Sequence, residues 1–183
     1  GINTVIYYKN KKQLEQQITN LVKVLGSDTV IEKVYGNDLY VVKKGDKQAL
    51  VKKGGEEVLD KGFSEIKGIL KSQDAGIIYT NNSKYGIKDL SGNIKIEAKY
   101  EELKEAKSGI FIAKQDGKYG IIDLEKNEKV AFKYNSIIYN EKADLYISED
   151  NAFNNDIIDN NFEVKQSGIL IDLDDEKGYI ELR

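Results

Sequence analysis

Asp116-Gly117-Lys118-Tyr119-Gly120-Ile121-Ile122-Asp123 is a tight turn running into a strand. Asp-Gly is a pair that tolerates positive φ, and apolar runs flank it, Ile110 to Ala113 before and Ile121-Ile122 after. That combination specifies a β-hairpin. The same unit stands one period upstream as Asn82-Ser83-Lys84-Tyr85-Gly86-Ile87-Lys88-Asp89.

Outward from these two copies, the strand before the turn recurs. It reads Leu39-Tyr40-Val41-Val42, Ile77-Ile78-Tyr79-Thr80, Ile110-Phe111-Ile112-Ala113, Leu145-Tyr146-Ile147-Ser148 and Ile169-Leu170-Ile171-Asp172. The first four runs are nearly evenly spaced, and the step from Leu145 to Ile169 is shorter. Three apolar residues in a row imply a strand covered on both faces, because neighbouring side chains point opposite ways. A partner strand centred on Leu50, Ile87, Ile121, Ile157 and Ile180 follows each, and a third strand carries Val58, Ile94, Val130 and Val164. Then an aromatic residue recurs with an apolar one three later: Phe63 with Ile66, Tyr100 with Leu103, Tyr134 with Ile137. The short last interval reads as a missing element between Val164 and Ile169.

A period of about 35 residues with several strands per unit is the mark of a repeat array, whose neighbours complete one another's core. The expected fold is mostly β: tandem hairpin repeats, solenoid-like or partly propeller-like, with one N-terminal α-helix. Residues 36–183 are expected to form the repeat region, in units of about 36–74, 75–107, 108–142 and 143–183, the last degenerate. Residues 1–35 are expected to form a strand-helix-strand cap. Its first strand is Thr4 to Tyr8. Asn10 caps the helix with Gln13 in capping-box position, and Leu14, Ile18, Leu21, Val22 and Leu25 make one apolar stripe. Gly26 provides the left-handed stop.

Composition removes several function classes. The chain of 183 residues has a net charge of −3, and its lysines are scattered among glutamates, which argues against a nucleic-acid partner. No apolar run is long enough to insert in a membrane. Cys, His, Met, Trp and Pro are all absent. Without Cys and His, neither a structural zinc site nor a nucleophile paired with a histidine base is available. No cofactor or metal is expected. Gly1 stands where an initiating Met is lacking, which suggests a chain trimmed of a leader or anchor.

Lys84-Tyr85-Gly86-Ile87-x-Asp89 and Lys118-Tyr119-Gly120-Ile121-Ile122-Asp123 resemble the core of the bacterial WG-repeat (KWG-repeat) family, Gly-Lys-Trp-Gly-Phe/Ile-Ile-Asp. The family's following Tyr-x-x-Ile box is matched by Tyr100 to Leu103 and Tyr134 to Ile137, and more loosely by Phe63 to Ile66. The resemblance covers about residues 36–183. Tyr85 and Tyr119 stand where the family has Trp. The family's pattern implies interaction rather than catalysis, in a secreted or surface-attached setting.

Tyr85 and Tyr119 are therefore the candidate ligand-binding residues, as stacking platforms; the competing reading makes them repeated core positions. Gly86 and Gly120 read as points of close strand approach, and Asp89, Asp123 and Asp159 as turn caps. The acidic run Asp172, Asp174, Asp175 and Glu176 lacks the glycine and glutamate of a calcium loop and reads as a solvated turn. The expected function is a non-enzymatic binding module for a protein or a cell-wall or host glycan, extracellular or at the cell surface. The alternatives are a carboxylate-dependent polysaccharide hydrolase or a structural spacer in a longer surface protein. If Tyr119 is a core residue, Tyr119→Ala costs about 2–4 kcal/mol in urea denaturation.

Overall fold

The computed structural model describes residues 12, 15–16, 18–35, 39–45, 47–52, 55, 65–72 and 76–183. Thr4 to Tyr8, Asn10, Gln13, Leu14, Val58 and Phe63 lie outside the described residues. Helix α1 takes in residues 12, 15–16 and 18–25 and stops at Gly26, whose φ is +110° and whose N–H donates to Val22 O at 2.8 Å.

Seventeen strands follow among the described residues, paired antiparallel within five sheets. The first sheet holds β1 (Thr29–Tyr35), β2 (Leu39–Lys44) and β3 (Lys47–Lys52). The second holds β4 (Glu65–Ile69), β5 (Ile77–Asn81), β6 (Lys84–Lys88) and β7 (Ile94–Tyr100). The third holds β8 (Glu102–Lys107), β9 (Ile110–Gln115), β10 (Lys118–Asp123) and β11 (Glu128–Tyr134). The fourth holds β12 (Ser136–Asn140), β13 (Leu145–Glu149), β14 (Asn155–Ile158) and β15 (Val164–Gly168). The fifth is a hairpin, β16 (Leu170–Asp174) with β17 (Tyr179–Leu182).

The sheets stack in chain order, and the apolar triplets explain why. Phe111 and Ala113 are buried in one cluster with Ile78, Ile87, Ile96 and Tyr100 of the second sheet. Ile112, between them, is buried in another with Ile137, Tyr146 and Ile158 of the fourth. The third sheet is thus a middle layer with both faces covered. The second sheet turns Ile66, Ile77 and Tyr79 the other way, onto Leu39, Val41 and Leu50 of the first. Leu21, with Ile18 and Leu25 beside it, covers the outer face of the first sheet at Tyr40, Val42 and Val51. Each buried aliphatic side chain of this kind contributes roughly 1.5–3 kcal/mol.

From the second sheet onward, a single residue separates each sheet from the next: Glu101, Asn135 and Ile169. Crossing a four-stranded sheet from edge to edge takes roughly 14 Å at the usual strand spacing, more than one residue can span. The last strand of one sheet and the first of the next therefore meet at a shared corner. The Tyr-x-x-Ile box is that corner: Tyr100 closes β7 and Leu103 is the second residue of β8, and both are buried. Tyr134 and Ile137 do the same one layer on.

The hairpin turns have the expected geometry. Asp116 and Gly117 have φ of 51° and 78°, and Asn82 and Ser83 have 50° and 64°, positive at both central positions as a type I′ hairpin turn requires. Gly86 and Gly120 are points of close approach. A Cβ on Gly86 would lie 2.5 Å from Ile96 O, and one on Gly120 would lie 2.7 Å from Val130 O. The pairing register shifts beside both glycines, where the neighbouring strand presses over them.

Two expectations change. Ile169 to Asp172 is not the first strand of a shortened unit. It begins a new sheet, in the place β12 holds one layer earlier, so no element is missing between Val164 and Ile169. The difference comes from matching apolar runs alone, since a corner strand and an inner strand are both apolar. Ile94 is also displaced: it is 57% exposed, while Ile96 is fully buried and pairs with Ile87 as Val130 does with Ile121.

The repeated aspartates cap the turns. Asp123 accepts the N–H groups of Glu125 and Asn127 at 3.0 and 2.9 Å and the Asn127 side-chain amide at 2.9 Å. Asp89 makes the same three bonds with Ser91 and Asn93, and Asp159 the two backbone ones with Asn161 and Glu163. Burial by itself raises the Asp123 carboxyl, but the Asn127 contacts and Lys129 outweigh it and hold it below the usual range. The Asn93 side chain, with the turn amides, lowers Asp89.

A carboxyl lowered on folding stabilises above its unfolded value, about 3.9, and that stability is lost as pH falls through the folded value. Tm is accordingly expected to drop below about pH 4, and less steeply in Asp123→Asn than in the parent. Gly86→Ala, which drives a Cβ into backbone, is expected to cost about 1–3 kcal/mol in urea denaturation.

Candidate binding groove

Tyr119 and Tyr85 take different positions. Tyr85 is half-buried among the residues packed between the second and third sheets, opposite Tyr100 across β6 and β7. It does not line the groove that Tyr119 reaches. Tyr119 is also half-buried and faces Tyr134 across β10 and β11 in the same way, but it reaches the rim of a cavity of about 470 Å³.

This groove lies between the third and fourth sheets. Its apolar floor comes from Ala106, Ile112 and Ile137, and its aromatic walls from Tyr119 and Tyr139. Glu102, Glu105, Glu141, Lys71 and Lys104 supply the charge. The volume falls in the range of small-molecule and chain-segment sites. The two tyrosines come from different sheets, so the groove exists only because the layers stack.

The polar groups are held in place. Tyr119 donates its hydroxyl to Glu102 Oε2 at 2.5 Å, and Lys114 Nζ lies 5.5 Å from its ring centroid. The bond to Glu102, with burial and the charge of Glu101, pushes the Tyr119 phenol up to about 12. Tyr139 donates to Asp144 Oδ1 at 2.7 Å, an oxygen that also takes Lys107 Nζ at 3.0 Å. Burial, then Asp144, raises the Tyr139 phenol to about 12 as well. Its ring sits 5.0 Å from that of the fully buried Tyr146, which fixes its orientation. Glu105 accepts the backbone N–H of Lys71 and that of Gly109, and Lys71 Nζ donates to Ala106 O at 2.6 Å.

Sequence reasoning found Tyr119 and missed Tyr139. The signal was present: Tyr139 stands two residues after Ile137 in one strand and so shares its face. Of the acidic C-terminal run, Asp174 accepts the Lys177 N–H at 2.9 Å and Asp172 the Tyr179 hydroxyl at 2.6 Å. These are turn and strand contacts. Among the described residues, no helix is long and apolar enough to cross a membrane.

Residues 85–119 match the model of the WG containing repeat, so the chain carries the repeat that its Lys-Tyr-Gly motifs resemble. No curated protein sequence matches the chain. Among solved structures it is similar to the C-terminal WD40 domain of Sif2, at 11% identity and a TM-score of 0.48, over 77% of this chain and 46% of that one. It is also similar to Hsv2p of Kluyveromyces lactis, at 10% identity and TM-score 0.43, over 71% and 49%. The WD40 β-propeller domain of Doa1 matches at 10% identity and TM-score 0.35, over 74% and 52%. The chain spans about half the length of these solved chains.

Tyr119→Phe removes the hydroxyl bond and leaves the ring, and is expected to cost about 1 kcal/mol or less at this partly exposed site. The phenols of Tyr119, Tyr134 and Tyr139 are each raised to about 12 in the folded chain. A phenol raised on folding stabilises below its unfolded value, about 10, and loses that stability as pH rises through about 12. A tyrosinate absorbance titration is expected to show a late-ionising group that shrinks by one phenol in Tyr119→Phe and moves to about pH 10 in urea.

Proposed function

We propose that this chain is a non-catalytic binding module that holds a cell-wall or host glycan along the groove between its third and fourth sheets. The carrying observation is the pairing of Tyr119 and Tyr139 with a rim of glutamates and lysines above an apolar floor. Aromatic rings offer flat apolar surface to the C–H faces of sugars, and alternating carboxylates and ammonium groups take up their hydroxyls. Such a ligand implies a place of work outside the cell or at its surface.

Two of the three groove glutamates are held by contacts of the fold, which favours binding over hydrolysis. A glycosidase needs one carboxyl to donate a proton and another to attack or to activate water, both facing the bond. Glu102 is engaged by the Tyr119 hydroxyl, and both Glu105 oxygens accept backbone N–H groups. These acids brace the groove.

The experiment is a binding screen on glycan arrays and insoluble cell-wall polysaccharide, with Tyr119→Ala, Tyr139→Ala and Tyr85→Ala as variants. Saturable binding, weakened at least tenfold by Tyr119→Ala or Tyr139→Ala and much less by Tyr85→Ala, is expected. Release of soluble sugar would favour the hydrolase. Absence of binding to every glycan would reject this reading in favour of a polypeptide partner.

A further inference from the structure

One position of the fourth sheet breaks the pattern of the repeat. Asp156 pairs with Ser148 and, through it, with Ile137. Gly120 pairs in the same way with Ala113 and Leu103 one layer earlier, so Asp156 stands where Gly120 stands. Strand pairing explains why a side chain is tolerated there. Between the pairs Tyr119 with Tyr134 and Ile121 with Val130, residues 131–133 of β11 face the single Gly120, and a Cβ on it would lie 2.9 Å from Phe132 Cγ. In the fourth sheet the count is even: Asn155 pairs with Gly168, Asp156 with Ser167 and Ile157 with Gln166. No extra residue presses over Asp156, and the need for glycine is gone.

The carboxylate placed there joins two layers. Paired residues share a face, and Ile137 packs onto the third sheet, so Asp156 points to that layer. It meets Tyr134, the buried tyrosine that closes β11. Tyr134 donates its hydroxyl to Asp156 Oδ2 at 2.5 Å, and Ser167 Oγ donates to Oδ1 at 2.7 Å. The Asp156 carbonyl accepts Ser148 Oγ at 3.0 Å, and the buried Asn155 amide donates to Ser148 O at 3.0 Å. Hydrogen bonds to a charged acceptor are the stronger kind. One layer earlier the corner tyrosine is held differently: Tyr100 stacks on Phe132 with ring centroids 6.0 Å apart, and Gly120 offers it no side chain.

Tyr134 is tied to the groove as well. It pairs with Tyr119 across β10 and β11 and so shares its face, and Ser136, two residues on, lines the groove beside Tyr119. Across the third sheet the row runs Glu102, Lys114, Tyr119, Tyr134. Glu102 holds Tyr119 at one side of that row, and Asp156 holds Tyr134 at the other. The link between the two sheets at this corner is Asn135 alone, and a bond across the corner fixes the angle at which they meet.

We propose that Asp156 is a positioning residue of the groove: by holding Tyr134 across the corner, its carboxylate sets the angle between the third and fourth sheets and with it the separation of Tyr119 and Tyr139. The role concerns the shape of the groove and is independent of the ligand that the groove takes. It accounts for a charged residue at a place where the unit before has glycine, in the one layer pair that bounds the groove.

The chain has no Cys, so Lys104→Cys with Glu141→Cys carries one pair of spin labels, one from each sheet that bounds the groove. Double electron–electron resonance on this pair is expected to give one narrow distance. Adding Asp156→Ala or Tyr134→Phe is expected to broaden it and shift it to longer values, and the two together to do no more than either alone. Asp156→Asn keeps an oxygen for the Tyr134 hydroxyl, and Ser167 can turn its own hydroxyl to accept, so that variant is expected to keep the parent distance. Asp123→Asn, in a turn of the third sheet, is expected to leave the distance unchanged and so separates loosening of this corner from loss of stability in general. Should Asp156→Ala fail to fold, Tyr134→Phe breaks the same bond from the other side. A distance that stays narrow when the bond is broken, that Asp156→Asn fails to keep, or that Asp123→Asn shifts as far, overturns the proposal.

Discussion

Phe111 and Ile112 are adjacent residues of one strand, and each is buried against a different sheet. The rest of the molecule depends on that double burial. A sheet with one apolar face can end a protein; a sheet with two must be covered twice, and here the covering layers are further copies of the same unit. Burial on both faces therefore turns a repeated hairpin into a stack. It also explains why α1 matters: the first sheet has an apolar outer face at Tyr40, Val42 and Val51, and Leu21 with its neighbours closes it.

The Lys-Tyr-Gly motif serves the same end at the level of the backbone. Gly86 and Gly120 let the following strand pass where a Cβ would meet a carbonyl. The tyrosine before each glycine pairs with the tyrosine that closes the sheet, Tyr100 or Tyr134, and that second tyrosine marks the corner to the next layer. The motif and the Tyr-x-x-Ile box are two sides of one step, separated along the chain by a whole strand and joined by strand pairing. Asp89, Asp123 and Asp159 then fix the turn beyond, each by bonds to amides two and four residues on. The groove is a by-product of stacking, bounded by Tyr119 from one layer and Tyr139 from the next.

Much of this was legible in the sequence. The turn chemistry of Asp116-Gly117 and Asn82-Ser83, the two-faced strands, the helix with its Gly26 stop and the structural aspartates all follow from local rules. The apparent loss of an element between Val164 and Ile169 was a misreading, because the corner strand β16 is as apolar as an inner strand. Only pairing partners distinguish the two. Tyr139 escaped because an exposed-looking strand, Ser136–Asn140, becomes a groove wall only when the layer before it is in place. Tyr85 and Tyr119 look alike in sequence and differ in surroundings: Tyr119 lines the groove between the third and fourth sheets, and Tyr85 is not among the residues of that groove.

If adjacent residues on β9 secure different interfaces, truncating them one at a time must loosen different layers. Amide hydrogen exchange on Phe111→Ala and Ile112→Ala tests this directly. Each truncation removes a large buried side chain, at a cost of about 2–5 kcal/mol. Phe111→Ala should raise exchange chiefly in β5 to β7, and Ile112→Ala chiefly in β12 to β14, with β9 itself loosened in both. The same exchange pattern in the two variants would contradict the layered stack, because it would mean that both side chains support a single core.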